Sequence, residues 1–246
     1  AVINRLGFNN RGVDAAAQFL TARDRSRGIV AVNVGPNRNA EDPISDYETC
    51  ITKLAPLADV LVLNVSSPNT PGLRKLQAGE HTACLLTRAL AARARTGVKP
   101  PILLKIAPDL SMAEIEAIVE AAVQNGAAGL VVGNTTVSRP VGLRDRRQRE
   151  PGGLSGRPLF ELSTKVLSNA YRIAHGRLRL VGVGGISSGA DAYAKIRAGA
   201  DLVELYTALS YEGPRLVSRV HRELAELLHR DGFSRVADAV GTGSEQ

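Results

Sequence analysis

Short apolar runs rich in β-branched residues alternate with longer amphipathic stretches along the whole chain. Each run is apolar almost throughout, which is typical of parallel strands that are buried on both faces. Strict alternation of strands and helices predicts a parallel sheet with right-handed crossovers, either an open doubly wound sheet or a closed (β/α) barrel. The six predicted strands span residues 28–34, 59–65, 101–106, 129–133, 178–184 and 202–206. The seven predicted helices span about 13–25, 43–56, 78–95, 111–125, 159–175, 188–199 and 213–231.

Polar residues and glycines follow the ends of nearly all these strands. In an open sheet the ligand-binding residues gather at one switch point, whereas in a barrel every strand end faces the same mouth. Contributions from all six strands therefore favour an α/β protein of the (β/α)8 TIM-barrel type, with six of its eight strands recognisable. The strand-end residues are Asn33, Asn64, Lys105, Asn134, Gly184 with Gly185, and Thr207.

The composition is that of a single soluble domain over residues 1–246. The chain contains 44% hydrophobic and 22% charged residues, which excludes disordered, collagen-like and coiled-coil proteins. Two cysteines are too few for a disulfide framework, and no cluster of Cys and His has the spacing of a metal site, so we expect no metal. The net charge of +7 is compatible with nucleic acid, anionic lipid or a phosphorylated ligand.

One long segment, residues 137–158, has no periodicity. Loops of this length in compact domains are usually functional or disordered. We expect the segment to be a loop on the active-site side. Its arginines fit either a solvated, mobile face or a role in binding and lid closure; they are Arg144, Arg146, Arg147 and Arg149.

The turn Asn64-Val-Ser-Ser-Pro-Asn69 carries two amides and two hydroxyls at the end of the second predicted strand. Asparagine supplies both a donor and an acceptor, which suits a planar heterocycle with alternating carbonyl and NH groups. A single turn of this kind often satisfies only its own backbone. Asn4, Asn33 and Asn134 begin loops on the same face, and five convergent amides favour a binding site.

Lys105 ends the otherwise apolar run 102–106. A lysine at a strand end is either simply solvated or points into the mouth beside a ligand. In the second case its charge stabilises negative charge that develops on the bound group, which suits a reduced flavin.

Glycines mark a possible phosphate site late in the chain. Gly182-Val-Gly-Gly-Ile-Ser-Ser-Gly189 leads from a strand into a helix, and Gly153-Leu-Ser-Gly156 precedes another helix. Glycines there let backbone N–H groups approach a phosphate, although they also make tight turns between strands and helices. The pairing with Tyr206-Thr207 after the next strand favours the phosphate interpretation, because barrels place phosphates after their last two strands.

Together these segments resemble the quinone-dependent (class 2) dihydroorotate dehydrogenases over essentially the whole chain. The resemblance implies an FMN-containing barrel that oxidises (S)-dihydroorotate to orotate in de novo pyrimidine (UMP) biosynthesis and passes the electrons to a membrane quinone. The motifs that carry it are Asn4-Arg-Leu-Gly-Phe-Asn9, Asn64-Val-Ser-Ser-Pro-Asn69, Leu104-Lys-Ile-Ala-Pro-Asp109, Asn134-Thr-Thr-Val-Ser-Arg-Pro140, Gly152-Gly-Leu-Ser-Gly-Arg-Pro-Leu159, Gly182-Val-Gly-Gly-Ile-Ser-Ser-Gly189 and Leu205-Tyr-Thr-Ala-Leu209.

The resemblance also implies roles for individual residues. Ser67 is expected to be the catalytic base that takes the C5 proton while the C6 hydride goes to the flavin, and a serine here rather than a cysteine argues for quinone as the oxidant. The implied pyrimidine-binding residues are Asn4, Asn64, Asn69, Asn134 and Thr135. The implied FMN-binding residues are Asn33, Asn64, Lys105, Gly156, Gly185, Tyr206 and Thr207. Two residues depart from the family pattern, Gly133 and Pro151, and neither touches the expected chemistry.

The resemblance begins after the family's first barrel strand, first helix and second strand. We therefore expect an N-terminally incomplete barrel without the helical pair that docks on the membrane and forms the quinone tunnel. The family's place is the bacterial inner membrane, on its cytoplasmic side, or the mitochondrial inner membrane, by peripheral association. Dihydroorotate or orotate and a quinone are the expected partners, and nucleic acid is not. Two alternatives stay open: an inactive barrel fragment that acts as a scaffold or binding protein, and a related barrel that acts on RNA bases.

Overall fold

The computed structural model describes residues 1–70 and 72–243. The strands within these residues are β1 (Val2–Asn4), β2 (Ala31–Val34), β3 (Val60–Asn64), β4 (Ile102–Ile106), β5 (Gly129–Val132), β6 (Gly153–Ser155), β7 (Arg179–Val183) and β8 (Leu202–Glu204). Six of them form one parallel sheet in the order β2-β3-β4-β5-β7-β8, and the two short strands β1 and β6 pair separately. All six predicted strands are confirmed, with shorter bounds at some ends.

Helices connect consecutive strands of the sheet, as the alternation predicts. The α-helices are α1 (Val13–Thr21), α2 (Pro43–Leu54), α3 (Gly79–Arg95), α4 (Met112–Gln124), α5 (Phe160–Ala174), α6 (Gly189–Arg197), α7 (Thr207–Glu212), α8 (Arg215–Arg230) and α9 (Val236–Ala239). Single 3₁₀ turns span Arg25–Arg27, Leu73–Gln77 and Arg157–Leu159. The seven predicted helices are all present, whereas the short α7 and α9 were not predicted.

Local capping fixes where several helices begin and end. Ser111 Oγ accepts from the Glu114 backbone N–H at 3.3 Å, and the Glu114 carboxylate accepts from the Ser111 backbone N–H at 2.8 Å. This reciprocal capping box satisfies two N–H groups that would otherwise lack partners at the start of α4. Gly126 and Gly199 follow α4 and α6 with φ of 73° and 114°, the left-handed conformation in which glycine ends a helix at least cost.

Alternation along the strands separates a helix-facing core from an inner face. Leu61, Leu63 and Leu104 belong to the large buried cluster that packs against the helices, whereas Val62, Val131 and Val181 form a smaller inner cluster. Successive side chains of a strand point to opposite faces. Lys105 therefore shares the inner face with Leu103, Asn64 shares it with Val62, and both polar side chains lie where these strands end.

The sheet begins at β2 and ends at β8, and these two strands do not pair with each other in the described residues. Ala31 and Asn33 of β2 are exposed, as is Leu202 of β8. The architecture is thus a six-stranded part of a (β/α)8 barrel, as predicted. In the same residues, no helix has both the length and the apolar character needed to cross a membrane.

Two segments that are far apart in the sequence form an antiparallel pair that the sequence did not predict. β1 pairs with β6 in the register Val2 with Ser155 and Asn4 with Gly153. Three residues of the aperiodic segment 137–158 are therefore β-strand. This pair brings the start of the chain to the carboxyl ends of the parallel strands.

Candidate active site

A cavity of about 660 Å³ lies at the carboxyl end of the parallel sheet, and we call it the mouth cavity. Its walls come from Lys105 of β4 and from the loops after β5, β7 and β8, together with β1 and β6. Eight of the predicted site residues line it: Asn4, Lys105, Asn134, Thr135, Gly156, Gly185, Tyr206 and Thr207. Four of the six predicted strand ends contribute to this lining, whereas those at Asn33 and Asn64 do not. Ser67 and Asn69, in the turn after β3, are also not among the lining residues.

Ser66 joins two of the predicted amides at the floor of the site. The fully buried Ser66 donates through its Oγ to Asn64 Oδ1 at 2.9 Å, and Asn134 Nδ2 donates to the same Oγ at 2.8 Å. The Ser66 backbone N–H also donates to Asn64 Oδ1, at 3.1 Å. These bonds fix the orientation of both amides. Asn64 Nδ2 donates to none of the described residues, so this amide keeps a donor for a ligand.

Asn69 connects the loop after β3 to the start of the chain. Its Nδ2 donates to Asn4 Oδ1 at 3.0 Å, to Asn4 O at 3.2 Å and to Leu6 O at 3.1 Å. The amide group of Asn69 is therefore engaged within the protein, and its predicted contact with substrate stays a prediction. Asn4 is held beside the mouth cavity by this contact.

Ser67, the predicted base, is nearly buried, with 8% of its surface exposed. Its Oγ accepts from the Asn69 backbone N–H at 3.3 Å. Across the described residues its hydroxyl donates to no carboxylate and no histidine. The protein thus supplies a donor that stabilises negative charge on this oxygen.

Arg74 joins three loops at the mouth, and no pattern in the sequence indicates this role. Its guanidinium donates to Ser66 O at 3.1 Å, to Thr135 O at 3.1 Å and to Asp109 Oδ2 at 2.9 Å. Asp109 in turn accepts from the hydroxyls of Thr136 and Ser138. The pair therefore ties the loops after β3, β4 and β5 together. Asp109 ends one of the motifs quoted above, but nothing in the sequence showed its partner.

Lys105 forms an ion pair across the mouth with Glu204, which was also not predicted. Lys105 Nζ lies 3.3 Å from Glu204 Oε2, and β4 and β8 are separated in the sheet by β5 and β7. The lysine side chain is 20% exposed and the glutamate 41%. A cation on the inner face thus has an internal counterion, but solvent still reaches both groups.

The opposite end of the mouth cavity has the features of a phosphate site. Gly156, Gly184 and Gly185 have φ of 93°, 115° and 81°, which glycine alone adopts without strain. Hydroxyls lie beside them, since Thr207 Oγ1 donates to Ser155 Oγ at 2.9 Å. Exposed backbone and hydroxyls around a wall that also contains Arg157 suit an anionic group.

Gly153 keeps β6 close to the predicted catalytic turn. A Cβ at this position would lie 2.0 Å from Thr135 Oγ1 and 3.2 Å from Pro68 Cγ. Only a residue without a side chain therefore fits between these two loops. The sequence pointed to this glycine through its phosphate-like pattern, whereas the structure gives it a packing role.

Two predicted features lie elsewhere. Asn33 is exposed and lines a separate cavity of about 700 Å³ beside α1 and β2, so its predicted flavin contact stays a prediction.

In the segment 137–158, Arg139 donates to the carbonyls of Gln148 at 2.9 Å, Glu150 at 2.7 Å and Gly152 at 2.8 Å. This arginine organises the loop internally, and the role of the loop as a lid stays untested.

Comparisons with known proteins identify what this arrangement is similar to. A family profile described as "Dihydroorotate dehydrogenase" matches residues 1–228. The chain is 53% identical over 244 residues to "Dihydroorotate dehydrogenase (quinone)" of Rhodospirillum rubrum, covering 98% of this chain and 66% of that protein. It is 54% identical over 241 residues to the protein of the same name from Parvibaculum lavamentivorans, covering 98% and 68%.

A solved structure is similar over the same extent. The crystal structure of DHODH in complex with ferulenol from Eimeria tenella superposes with a TM-score of 0.94 at 37% identity, covering 99% of this chain and 72% of that one. The chain spans about two thirds of the length of the curated relatives it matches.

Proposed function

Because the chain belongs to the dihydroorotate dehydrogenase family, we propose that it oxidises (S)-dihydroorotate to orotate in its mouth cavity. The observation that carries this proposal is the bonding of Asn64 and Asn134 to one buried serine, Ser66, directly beside Ser67. Fixed amides recognise the alternating carbonyl and NH groups of a dihydropyrimidine. The family resemblance predicted from the motifs is confirmed by the matching relatives.

FMN fits the rest of the cavity. The volume of about 660 Å³ lies within the range of cofactor pockets, and the glycines at 156, 184 and 185 leave backbone open to a phosphate. The residues that would hold FMN are Lys105 at the ring and Gly156, Gly185, Tyr206 and Thr207 at the phosphate. FMN, when bound, supplies a hydride acceptor.

The chain's own residues supply proton transfer and orientation. Ser67 takes the C5 proton of the substrate. A free serine is a poor base, so its activation depends on the burial of Ser67 and on the Asn69 N–H that stabilises charge on its oxygen. Arg74 fixes the Ser66 carbonyl next to it and so limits the positions that Ser67 can take.

A quinone is the proposed electron acceptor, and the names of the relatives, "Dihydroorotate dehydrogenase (quinone)", support it. Transfer to a membrane quinone requires peripheral association with a bacterial or mitochondrial inner membrane. The scaffold alternative is not favoured, because the relatives are named as enzymes and eight of the twelve residues expected at the site line one cavity.

The proposal is tested by purifying the protein and measuring its flavin content and its reduction of a quinone analogue. We expect a yellow protein that contains FMN and reduces the analogue only when dihydroorotate is added. Colourless protein, or yellow protein that leaves the analogue unreduced with dihydroorotate, contradicts the proposal.

A further inference from the structure

Lys195 of α6 is completely buried beneath the loop that follows β7. It forms no ion pair with any described residue. Its Nζ donates to Ser163 Oγ at 2.6 Å and lies 5.2 Å from the centroid of the Phe160 ring. Asp191, one turn earlier, acts on it through space, but the Asp191 carboxylate accepts from Ser187. An ammonium buried without a bonded carboxylate is costly, so an anion bound close to Lys195 would stabilise its charged form.

Ser163 connects Lys195 to Gly184, in the loop that follows β7. Its hydroxyl lies 3.1 Å from Gly184 O and 3.1 Å from Phe160 O. Because Lys195 supplies the hydrogen in its own bond, the hydroxyl hydrogen of Ser163 is free to reach the Gly184 carbonyl. The carbonyl of Gly184 is thereby held toward the interior of the protein.

The orientation of this carbonyl determines where the next N–H group points. The peptide bond between Gly184 and Gly185 is trans, so its C=O and N–H point in opposite directions. With the carbonyl turned inward, the Gly185 N–H points outward. It has no acceptor in residues 1–70 and 72–243, and both glycines line the mouth cavity.

Neighbouring glycines make room for the relay of Lys195, Ser163 and Gly184. A Cβ at Gly184 would lie 2.8 Å from Ser163 Oγ, and one at Gly182 would lie 3.4 Å from Lys195 Cδ and 3.0 Å from Leu167 Cδ2. The glycines of the Gly-Val-Gly-Gly pattern therefore allow α5 and α6 to pack closely against this segment, in addition to leaving its backbone accessible from the mouth cavity.

We propose that Lys195 is a positioning residue that selects a phosphorylated flavin over the unphosphorylated one. It acts through Ser163 and the Gly184 carbonyl to aim the Gly185 N–H at the phosphate. Its positive charge beneath the loop favours an anion there. The inference rests on the proposed function, because it takes the mouth cavity to be the flavin site.

The test compares the affinities of purified apoprotein for FMN and for riboflavin, measured by quenching of flavin fluorescence. Lys195→Met removes the charge and keeps the volume. Ser163→Ala breaks the relay and keeps the lysine. We expect each variant to weaken FMN binding about tenfold, the effect of losing roughly one charge-assisted hydrogen bond, and to leave riboflavin binding within about twofold.

Ile196→Val is the matched control. Ile196 is buried on the same helix as Lys195, but it packs in a hydrophobic cluster with Tyr193 and Leu228. This substitution should change neither affinity. Equal weakening of both flavins by Lys195→Met and Ser163→Ala, or unchanged FMN affinity in both, overturns the inference while the proposed function stands. Wild-type apoprotein that binds neither flavin contradicts the proposed function, and the inference with it.

Discussion

Arg74 and Asp109 form an ion pair of 2.9 Å that connects the loops after β3 and β4. Both side chains are largely shielded, with 25% and 14% exposed. The remaining guanidinium nitrogens donate to the backbone of Ser66 and Thr135. The positions of the predicted base and of the neighbouring amides therefore depend on a pair of residues that need not touch the substrate.

Replacing Arg74 by lysine should lower kcat more than it raises KM. A lysine keeps the charge but lacks the planar fork that reaches three acceptors at once. We expect kcat with dihydroorotate to fall roughly 10- to 100-fold, the effect of a small misplacement at a reacting centre, while flavin content is kept. Steady-state kinetics and flavin absorbance measure both. Arg88→Lys is the control, because Arg88 pairs with Asp42 and Glu48 on the outer helices. Unchanged kcat in Arg74→Lys contradicts the positioning role.

Replacing Glu204 by glutamine should make the flavin easier to reduce. The carboxylate lies 3.3 Å from Lys105 Nζ, so its removal leaves the lysine charge uncompensated beside the proposed flavin. Uncompensated positive charge favours the reduced, more negative ring. We expect the midpoint potential of the flavin to rise. In a two-electron couple, each ~1.4 kcal/mol by which the substitution favours the reduced form raises the potential by about 30 mV.

The potential is measured by spectroscopic titration of the purified protein with a reference dye. Glu120→Gln serves as the control, since Glu120 pairs with Arg177 on the outer surface. A potential that stays constant in Glu204→Gln shows that the ion pair does not act on the flavin, and one that falls contradicts the predicted effect of the lysine charge.

The buried Lys195 should also make stability depend on pH. Burial lowers the pKa of its ammonium to about 7 from the ordinary value of 10.5, and Asp191 only partly opposes the shift. Between these values the unfolded chain binds more protons at this residue than the folded chain does. The free energy of unfolding contributed by Lys195 therefore rises with pH from about 7 to about 10 and is lowest below 7.

Urea unfolding of the wild type and Lys195→Met across this pH range tests the sign. The difference in unfolding free energy, wild type minus variant, should become more positive as the pH rises. A difference that stays constant means that the lysine keeps its ordinary pKa in the folded protein.

Gly153→Ala should weaken substrate binding and leave the rest of the fold unchanged. The new Cβ would lie 2.0 Å from Thr135 Oγ1, so β6 must move away from Thr135 and the turn at Pro68. We expect the affinity for orotate, measured by its perturbation of the flavin spectrum, to fall about tenfold or more. Gly79→Ala, where the Cβ would make an ordinary 3.4 Å contact, should leave it unchanged. Equal affinities in both variants contradict the close approach of β6.

The parts of this structure that follow from local pattern were predictable from the sequence. Runs of residues such as 60–64 and 102–106 are largely apolar because both of their faces are buried, and this identifies the strands. The convergence of Asn134 and Lys105 follows from parallel strands that end at one side. Periodicity therefore gave the parallel sheet, and the polar residues at the strand ends gave the barrel type and the general place of the site.

Contacts between distant residues were not predictable in the same way. Arg74 and Asp109 are separated by 35 residues, and the conformations of two loops bring them together. Lys105 and Glu204 are separated by 99 residues and lie on β4 and β8, so their contact depends on the shape of the whole sheet rather than on any local pattern. The pairing of β1 with β6 was missed because three-residue strands carry no period. Asn33, assigned from its place at a strand end and from the family resemblance, lies on a separate cavity.

Rapid anaerobic mixing of the flavin-loaded protein with dihydroorotate shows whether the chain oxidises dihydroorotate with Ser67 as the base. We expect the flavin absorbance of the wild type to bleach within seconds of mixing. Ser67→Ala, with the same flavin content, should bleach roughly 10²- to 10⁴-fold more slowly, the usual contribution of a general base. Wild-type flavin that stays oxidised with dihydroorotate shows that the protein does not oxidise it, and a Ser67→Ala variant that bleaches at the wild-type rate shows that Ser67 is not the base.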